Sequence, residues 1–371
     1  MDLLAYARQR WRTRRHRRLF KDGALLWQQI ARDKPAVLKA LYERFPRAPR
    51  SYVEAYLESL VRDHAGNPKA PLYLDAELGA WERQHQLVAD LERSQGPLAG
   101  RSCLDVGCSN GSLLLAAREA GASRLVGVDV SATRLASARQ LCAGTDIDLR
   151  VLDFAAQAPP EDLGCFDVVF CTDVLEHVHS VPHAFSGLKQ ALAAGADSYA
   201  YVSLFNGRHP SCVRSEPHYG VPGLVLLDPG DAREVWLGVR SGLSSRLDYE
   251  VHEWPDYGAL KALAGQRSLR LDPLEDREAI LETRGTFWRD YARRAEDLGR
   301  GVGEDLARLA IPARHRDLIQ ARFQAYARTW REAHQTFAEA EPRLPEEAVV
   351  DFYMTWYAQP LRFLLRHEKD S

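Results

Sequence analysis

The stretch Cys103-Leu104-Asp105-Val106-Gly107-Cys108-Ser109-Asn110-Gly111-Ser112 constrains this chain more than any other part of it. A short apolar run enters a turn carrying Gly107 and Gly111, and Ser112–Glu119 then continues in good helix formers. That is strand, tight turn, helix, the entry to a nucleotide-binding α/β unit. Without a Cβ the glycines let the backbone turn sharply and a ligand come close, while the helix start offers free N–H groups. Roughly 20 residues further on, the spacing of a ribose-binding acid, a second strand at 124–128 ends in Asp129. A carboxylate there can accept both hydroxyls of a ribose.

The glycine pattern argues against a dinucleotide. Gly-x-Gly-x-x-Gly is the fingerprint for that ligand, and Ser109 and Ser112 stand at its second and third glycine positions. Asp105, two residues before the first glycine, would repel a pyrophosphate and suits a cationic amine instead. Leu-Asp-Val-Gly-Cys-Ser-Asn-Gly resembles the first motif of the class I S-adenosylmethionine-dependent methyltransferases, Asp-x-Gly-x-Gly-x-Gly, with Ser109 in place of the middle glycine. Asp173-Val174-Leu175-Glu176-His177-Val178 resembles the motif after strand four in the group that includes quinone-biosynthesis enzymes and many small-molecule and sugar methyltransferases. The resemblance covers residues 80–205, and 250–273 loosely.

The resemblance implies an α/β fold, a doubly wound, Rossmann-like, seven-stranded sheet, with S-adenosylmethionine as cofactor. It assigns cofactor binding to Asp105, Gly107, Cys108, Ser109, Asn110, Gly111, Asp129, Val130, Asp153, Phe154, Thr172 and Asp173. Among these, Asp153-Phe154 falls where the family holds the adenine, an acid for the exocyclic amine beside an apolar face.

The rest of the chain alternates regularly around this segment. Strands are expected at 102–106, 124–128, 147–152, 166–171, 198–205 and 268–271, with helices at 80–95, 132–143, 183–194 and 257–264. Residues 1–75 read as a helical extension punctuated by Pro35 and Pro46–Pro49. Residues 76–275 then form the core, with 206–247 as a glycine- and proline-rich acceptor loop. Residues 276–371 read as a charged helical segment whose stretch 351–366 returns to the sheet as a last strand.

Composition bounds the partners. A net charge of −2, 46% hydrophobic and 27% charged residues describe an ordinary soluble globular chain with no general affinity for polyanions. No apolar run is long enough to span a membrane and the amino terminus lacks an apolar signal core, so a cytoplasmic location is expected. Six cysteines without a Cys-x-x-Cys pair fit reduced thiols rather than disulfides or zinc. Residues 1–22 hold eight Arg or Lys against two Asp, either a solvated helix or an anchor for an anionic partner.

A sulfonium is already a reactive methyl donor, so the protein must position an acceptor in line and take its proton. Histidine suits the second task. His177, His209 and His218 lie in segments expected to converge, and His218 is preferred because Glu216 and Tyr219 share its loop. The catalytic candidates are therefore His218, His177 and Glu216. Histidines and acids lack ligand spacing along the chain, so no metal is expected. The reading is methyl transfer to a hydroxyl or amine of a small molecule or glycan. Alternatives are an RNA or protein methyltransferase anchored by the basic terminus, and a non-catalytic S-adenosylmethionine-binding module.

Overall fold

The computed structural model describes residues 22–66, 70–241, 249–283 and 286–368. The basic run before Asp22 and the end of the expected acceptor loop, 242–248, lie outside the described residues. By contacts the chain divides into two compact units. One comprises residues up to Arg101 with Cys108–Gly127 and Ser131–Arg150; the other comprises Ser102–Gly107, Val128–Val130 and the chain from Val151 onward.

The first unit opens with α1 (Gly23–Arg44), α2 (Arg50–His64) and α3 (Ala70–Gln95). Asp22 starts α1 by accepting the Leu25 N–H at 3.1 Å, the usual task of a short acidic side chain at a helix N-terminus. Pro35 cannot continue the helical bonding, and the backbone breaks at Asp33 (φ −158°, ψ 71°). Asp33 Oδ1 then accepts the Ala36 N–H at 3.1 Å and restarts the helix. Leu26, Ile30, Val37 and Leu41 bury one face of α1 in a core shared with Val53, Leu57 and Trp81. Leu115 of α4 (Ser112–Glu119) and Leu141 of α5 (Ala132–Leu141) pack against that core, so the amino-terminal helices are not a detached extension.

Seven strands form one sheet: β1 (Ser102–Val106), β2 (Arg124–Asp129), β3 (Asp148–Val151), β4 (Val168–Thr172), β5 (Tyr199–Leu204), β6 (Leu269–Pro273) and β7 (Leu361–His367). Their order is β3-β2-β1-β4-β5-β7-β6. β1 pairs parallel with β4, Asp105 opposite Phe170, and β4 pairs parallel with β5, Thr172 opposite Ser203. β7 runs antiparallel to both β5 and β6. Every residue of β5 is buried, as a central strand covered on both faces requires. The α/β seven-stranded sheet expected from the motifs is borne out.

Two stretches differ from the sequence reading. Residues 351–366 are not one strand: α13 (Glu346–Trp356) precedes β7, its Val349, Val350 and Met354 buried at helical spacing. Residues 206–247 are not loop throughout either. After α7 (Pro210–Arg214) comes α8 (Pro229–Ser241). Asp228 Oδ1 accepts the Asp231 N–H at 3.0 Å, and Pro229 sits in the first turn, where its missing N–H costs nothing. Ala232, Val235, Trp236 and Val239 of α8 join a core with Leu224 and Ile319.

Helices α6 (Val181–Ala191), α9 (Tyr257–Gly265), α10 (Arg277–Glu282), α11 (Tyr291–Arg308) and α12 (Ala313–Ala340) complete the second unit. Trp330 and His334 of α12 stack with ring centroids 4.1 Å apart. His334 donates from Nδ1 to the Trp330 carbonyl and accepts the Tyr357 hydroxyl at Nε2, both at 2.7 Å. Burial drives its imidazole down to about 4, so it stays neutral and serves packing.

Candidate active site

In the second unit the carboxyl ends of β1, β2, β4 and β5 carry the site. Asp105, near the end of β1, is 2% exposed, and its Oδ1 has no hydrogen-bond partner among the described residues. Burial, and then the negative charge of Asp129, hold its carboxyl well above the usual range. A cationic or hydrogen-donating ligand would relieve both effects. Gly107 follows with φ +75°, and its N–H donates to the Val128 carbonyl at 2.8 Å. A Cβ there would stand 2.5 Å from Val174 Cγ2, so only glycine lets the turn lie against the segment after β4.

Asp129 ends β2 almost buried, and beside it Val130 is 65% exposed, an apolar side chain left bare next to a carboxylate. Asp153 Oδ1 accepts the N–H groups of Ala155 and Ala156 at 3.1 and 3.0 Å, closing the turn after β3. Phe154 is buried with its ring against Gly187 of α6, while Val130 and, at the end of β3, Val151 are the exposed large apolar side chains among the described residues. Thr172 ends β4, and Asp173 follows in the left-handed region at φ +53°, its N–H donating to the Ser203 carbonyl at 2.8 Å. A non-glycine residue held there stores strain, which clusters at functional sites.

The turn after Asp173 brings the chemistry. Glu176 is fully buried, and neither carboxylate oxygen makes a hydrogen bond among the described residues. Burial, followed by the charge of Asp173, raises its carboxyl to about 7. The Glu176 carbonyl accepts the His252 N–H at 2.7 Å, tying this turn to the segment after residue 248. His177 bonds through Nδ1 to the Glu250 carbonyl at 3.0 Å; an acceptor there requires the proton on Nδ1, which leaves Nε2 bare.

His218 arrives from a distant loop. Its Nδ1 lies 2.8 Å from Glu216 Oε1, and Glu216 Oε2 accepts the Tyr219 N–H. The Glu216 side chain is fully buried, whereas that of His218 is 22% exposed. Burial works to lower the His218 imidazole, but the Glu216 hydrogen bond and charge, with Glu176 and Asp173 behind them, outweigh it and leave the value raised. The His218 ring meets His177 edge-on with centroids 4.8 Å apart, and Phe205 and Trp254 at 5.7 and 5.6 Å. The fold thus joins His177, Glu216 and His218.

Two neighbours stay outside this cluster. Tyr219 turns into the core, its ring 4.5 Å from Trp236 and its hydroxyl accepting the Glu250 N–H at 2.8 Å. His209 accepts the Ser211 N–H at Nδ1 and caps α7. Glu176, His177 and His218 each bring one potential ligand atom within 4.8 Å of the others, a grouping that spacing along the chain does not reveal. Trp254 and Phe205 escape the sequence reading because an aromatic in a loop carries no local signal of a site.

The remaining residues of the glycine-rich turn belong to the first unit. Cys108 is buried with its sulfur packed near Gly127, and Ser109 is left-handed at φ +46°. Asn110 is 8% exposed, and Gly111, at φ +78°, leads into α4.

Residues 104–199 match the family model described as a methyltransferase domain. Over 105 residues the chain is 35% identical to the ubiquinone biosynthesis O-methyltransferase of Methylococcus capsulatus, covering 28% of this chain and 44% of that protein. Over 144 residues it is 31% identical to the tRNA U34 carboxymethyltransferase of Shewanella amazonensis, covering 38% of this chain and 43% of that one. A solved S-adenosylmethionine-dependent methyltransferase from Mesorhizobium loti is 29% identical with a TM-score of 0.29, over 35% of this chain and 55% of that one. The chain spans less than half the length of these two curated relatives. The family resemblance of the motifs is borne out to this extent: the segment 104–199 is a methyltransferase domain.

Proposed function

With a methyltransferase domain at residues 104–199 as the premise, we propose that this chain moves the methyl group of S-adenosylmethionine to a hydroxyl or amine of a small molecule or glycan, with His218 as the base. The observation that carries the reading is the Glu216–His218 pair. The buried carboxylate accepts a hydrogen bond from Nδ1–H, which fixes the proton there and makes Nε2 the basic nitrogen. His218 stands beside His177 and the orphaned carboxylate of Glu176, at the strand ends that also present Asp105 and Asp129.

In this reading Asp129 accepts the ribose hydroxyls, Val130 lies against the adenine and Asp105 faces the amine of the methionine end. The sulfonium supplies the electrophilic methyl. His218 accepts the acceptor's proton as the C–S bond breaks and the new bond to oxygen or nitrogen forms, and Glu216 stabilises the imidazolium. Phe205 and Trp254 flank the His218 ring and cover part of it. Glu176, its carboxyl raised by burial, is the group best placed to hydrogen-bond the acceptor.

The test is turnover with labelled cofactor across phenolic, amine and sugar acceptors, read as the gain of one methyl by mass, with tRNA as the competing class. Salt-insensitive methylation of a small acceptor supports the reading. The similarity to a tRNA-modifying enzyme favours the second class, and methyl transfer to tRNA with steep salt dependence would replace the first. Cofactor binding without turnover on either class would reduce the chain to a binding module.

A further inference from the structure

The amino-terminal helices lie outside the matched methyltransferase domain, yet the structure ties them to its glycine-rich turn. Asn110 uses its whole side chain to do so. Its Nδ2 donates to the Tyr52 hydroxyl and to Glu77 Oε1, each at 3.1 Å, and its Oδ1 accepts the Ser112 N–H at 3.0 Å. The Tyr52 hydroxyl in turn donates to Glu77. Burial and the charge of Glu77 raise the Tyr52 phenol, so it keeps its proton and stays a donor. The amide orientation is fixed by its partners, because a flipped Asn110 would face two oxygens with a third.

The turn has a reason to need this support. Ser109, at φ +46°, occupies the place of the motif's middle glycine, in a conformation a serine does not favour. Asn110, anchored on α2 and α3, holds the next position and caps the first N–H of α4. The same helices and turn, with α5, border an open pocket of about 660 Å³, lined by Tyr52, Tyr56, Glu77, Ser109, Asn110 and Arg134 among others.

We propose that α2 and α3 set the shape of the cofactor turn: through Tyr52 and Glu77 they hold Asn110, and through Asn110 residues 108–111, in the conformation that binds S-adenosylmethionine. Asn110 is then a positioning residue acting through the backbone of the turn. The inference rests on the reading of residues 107–111 as the cofactor turn.

Calorimetric titration of the full chain with S-adenosylhomocysteine tests it. Asn110→Asp keeps an oxygen for the Ser112 N–H but loses both donors toward Tyr52 and Glu77, and its affinity is expected to fall about tenfold, the weight of one hydrogen bond to a charged partner. Tyr52→Phe, a milder change, is expected to fall in the same direction. The double variant Asn110→Asp with Glu77→Gln rebuilds the link with its polarity reversed, the introduced amide donating to the introduced carboxylate, and is expected to recover most of the loss. In turnover the single variants should raise KM for the cofactor and leave kcat near wild type. Asn110→Asp and Tyr52→Phe binding as tightly as wild type, or a double variant no better than Asn110→Asp, would overturn the inference. Wild type failing to bind S-adenosylhomocysteine would bring down the cofactor reading itself, and this inference with it.

Discussion

Two buried carboxylates, Asp105 and Glu176, look alike and are built by opposite means. Both are almost without solvent, both have oxygens without hydrogen-bond partners among the described residues, and burial raises both. Asp105 is held by the register of β1 opposite β4, with its neighbouring charge, Asp129, at the end of another strand. Glu176 sits in a short turn, pinned by backbone donors from residues 252 and 253 and facing a histidine brought from 218. The strand-end half depends on short-range spacing, whereas the turn half depends on contacts that only the finished fold makes. Lesions in the two halves should therefore separate cofactor affinity from turnover.

The largest expected effect is at His218. His218→Ala should cut kcat by about 10²–10⁴-fold, the range for loss of a general base, with S-adenosylhomocysteine affinity unchanged by calorimetry. A near-normal rate would hand deprotonation to His177 or to solvent. The converse lesion is Asp129→Ala, which removes the ribose acceptor. Hydrogen bonds to a charged group contribute about 1.5–3 kcal/mol, so cofactor affinity should weaken by roughly one to two decades. Unchanged affinity would remove the ribose assignment.

Gly107→Ala puts a methyl 2.5 Å from Val174 Cγ2 at a positive φ. It should cost about 1–3 kcal/mol of stability in denaturant titration, the range for strain at a special backbone position. Because Val174 lies between Asp173 and Glu176, it is also the one substitution here expected to disturb both halves at once. A variant as stable as wild type would mean that the turn yields freely.

The pH profile sharpens the turn half alone. A base must be unprotonated, and the His218 imidazole is raised above its ordinary 6.5, so kcat should climb with pH through a midpoint above that value. Glu216→Gln removes two of the influences that raise it and leaves burial, which lowers it; the midpoint should move down in pH even as the maximal rate falls. A midpoint that stays put would detach the profile from His218. The smallest effect expected is none: removing residues 1–21, and so leaving the Asp22 cap of α1 in place, should not alter S-adenosylhomocysteine affinity.

The same contrast explains how much of the molecule is legible in the sequence. The strand ends at Val106, Asp129 and Thr172 can be read to within a residue because an apolar run, a turn residue and a helix former follow one another locally. Helix α8 is masked by the prolines and glycines of 207–223, which make the whole stretch look like loop although Ala232, Val235, Trp236 and Val239 carry helical spacing. Tyr219 stands beside His218 in sequence yet faces the opposite way, into Trp236. The grouping of Glu176, His177 and His218 escapes because two of its members are adjacent and the third comes from a separate loop, a separation with no fixed signature. Trp254 has no signal at all. Its place follows from packing against His218 and Gly207.

The antiparallel strand β7 has a consequence for how the chain is made. It slots between β5 and β6, yet α10 through α13 are all synthesised before it emerges. Until then β5 and β6 each present an open edge of unpaired backbone groups, the kind of edge that recruits other chains. On the ribosome the nascent protein would pass through a stage in which β1, β4 and β5 are ready while the strand that must join β6 to them is still untranslated. A prematurely terminated chain lacking residues 361–367 would be left in that stage for good, with every motif for the cofactor present and β6 cut off from the rest of the sheet.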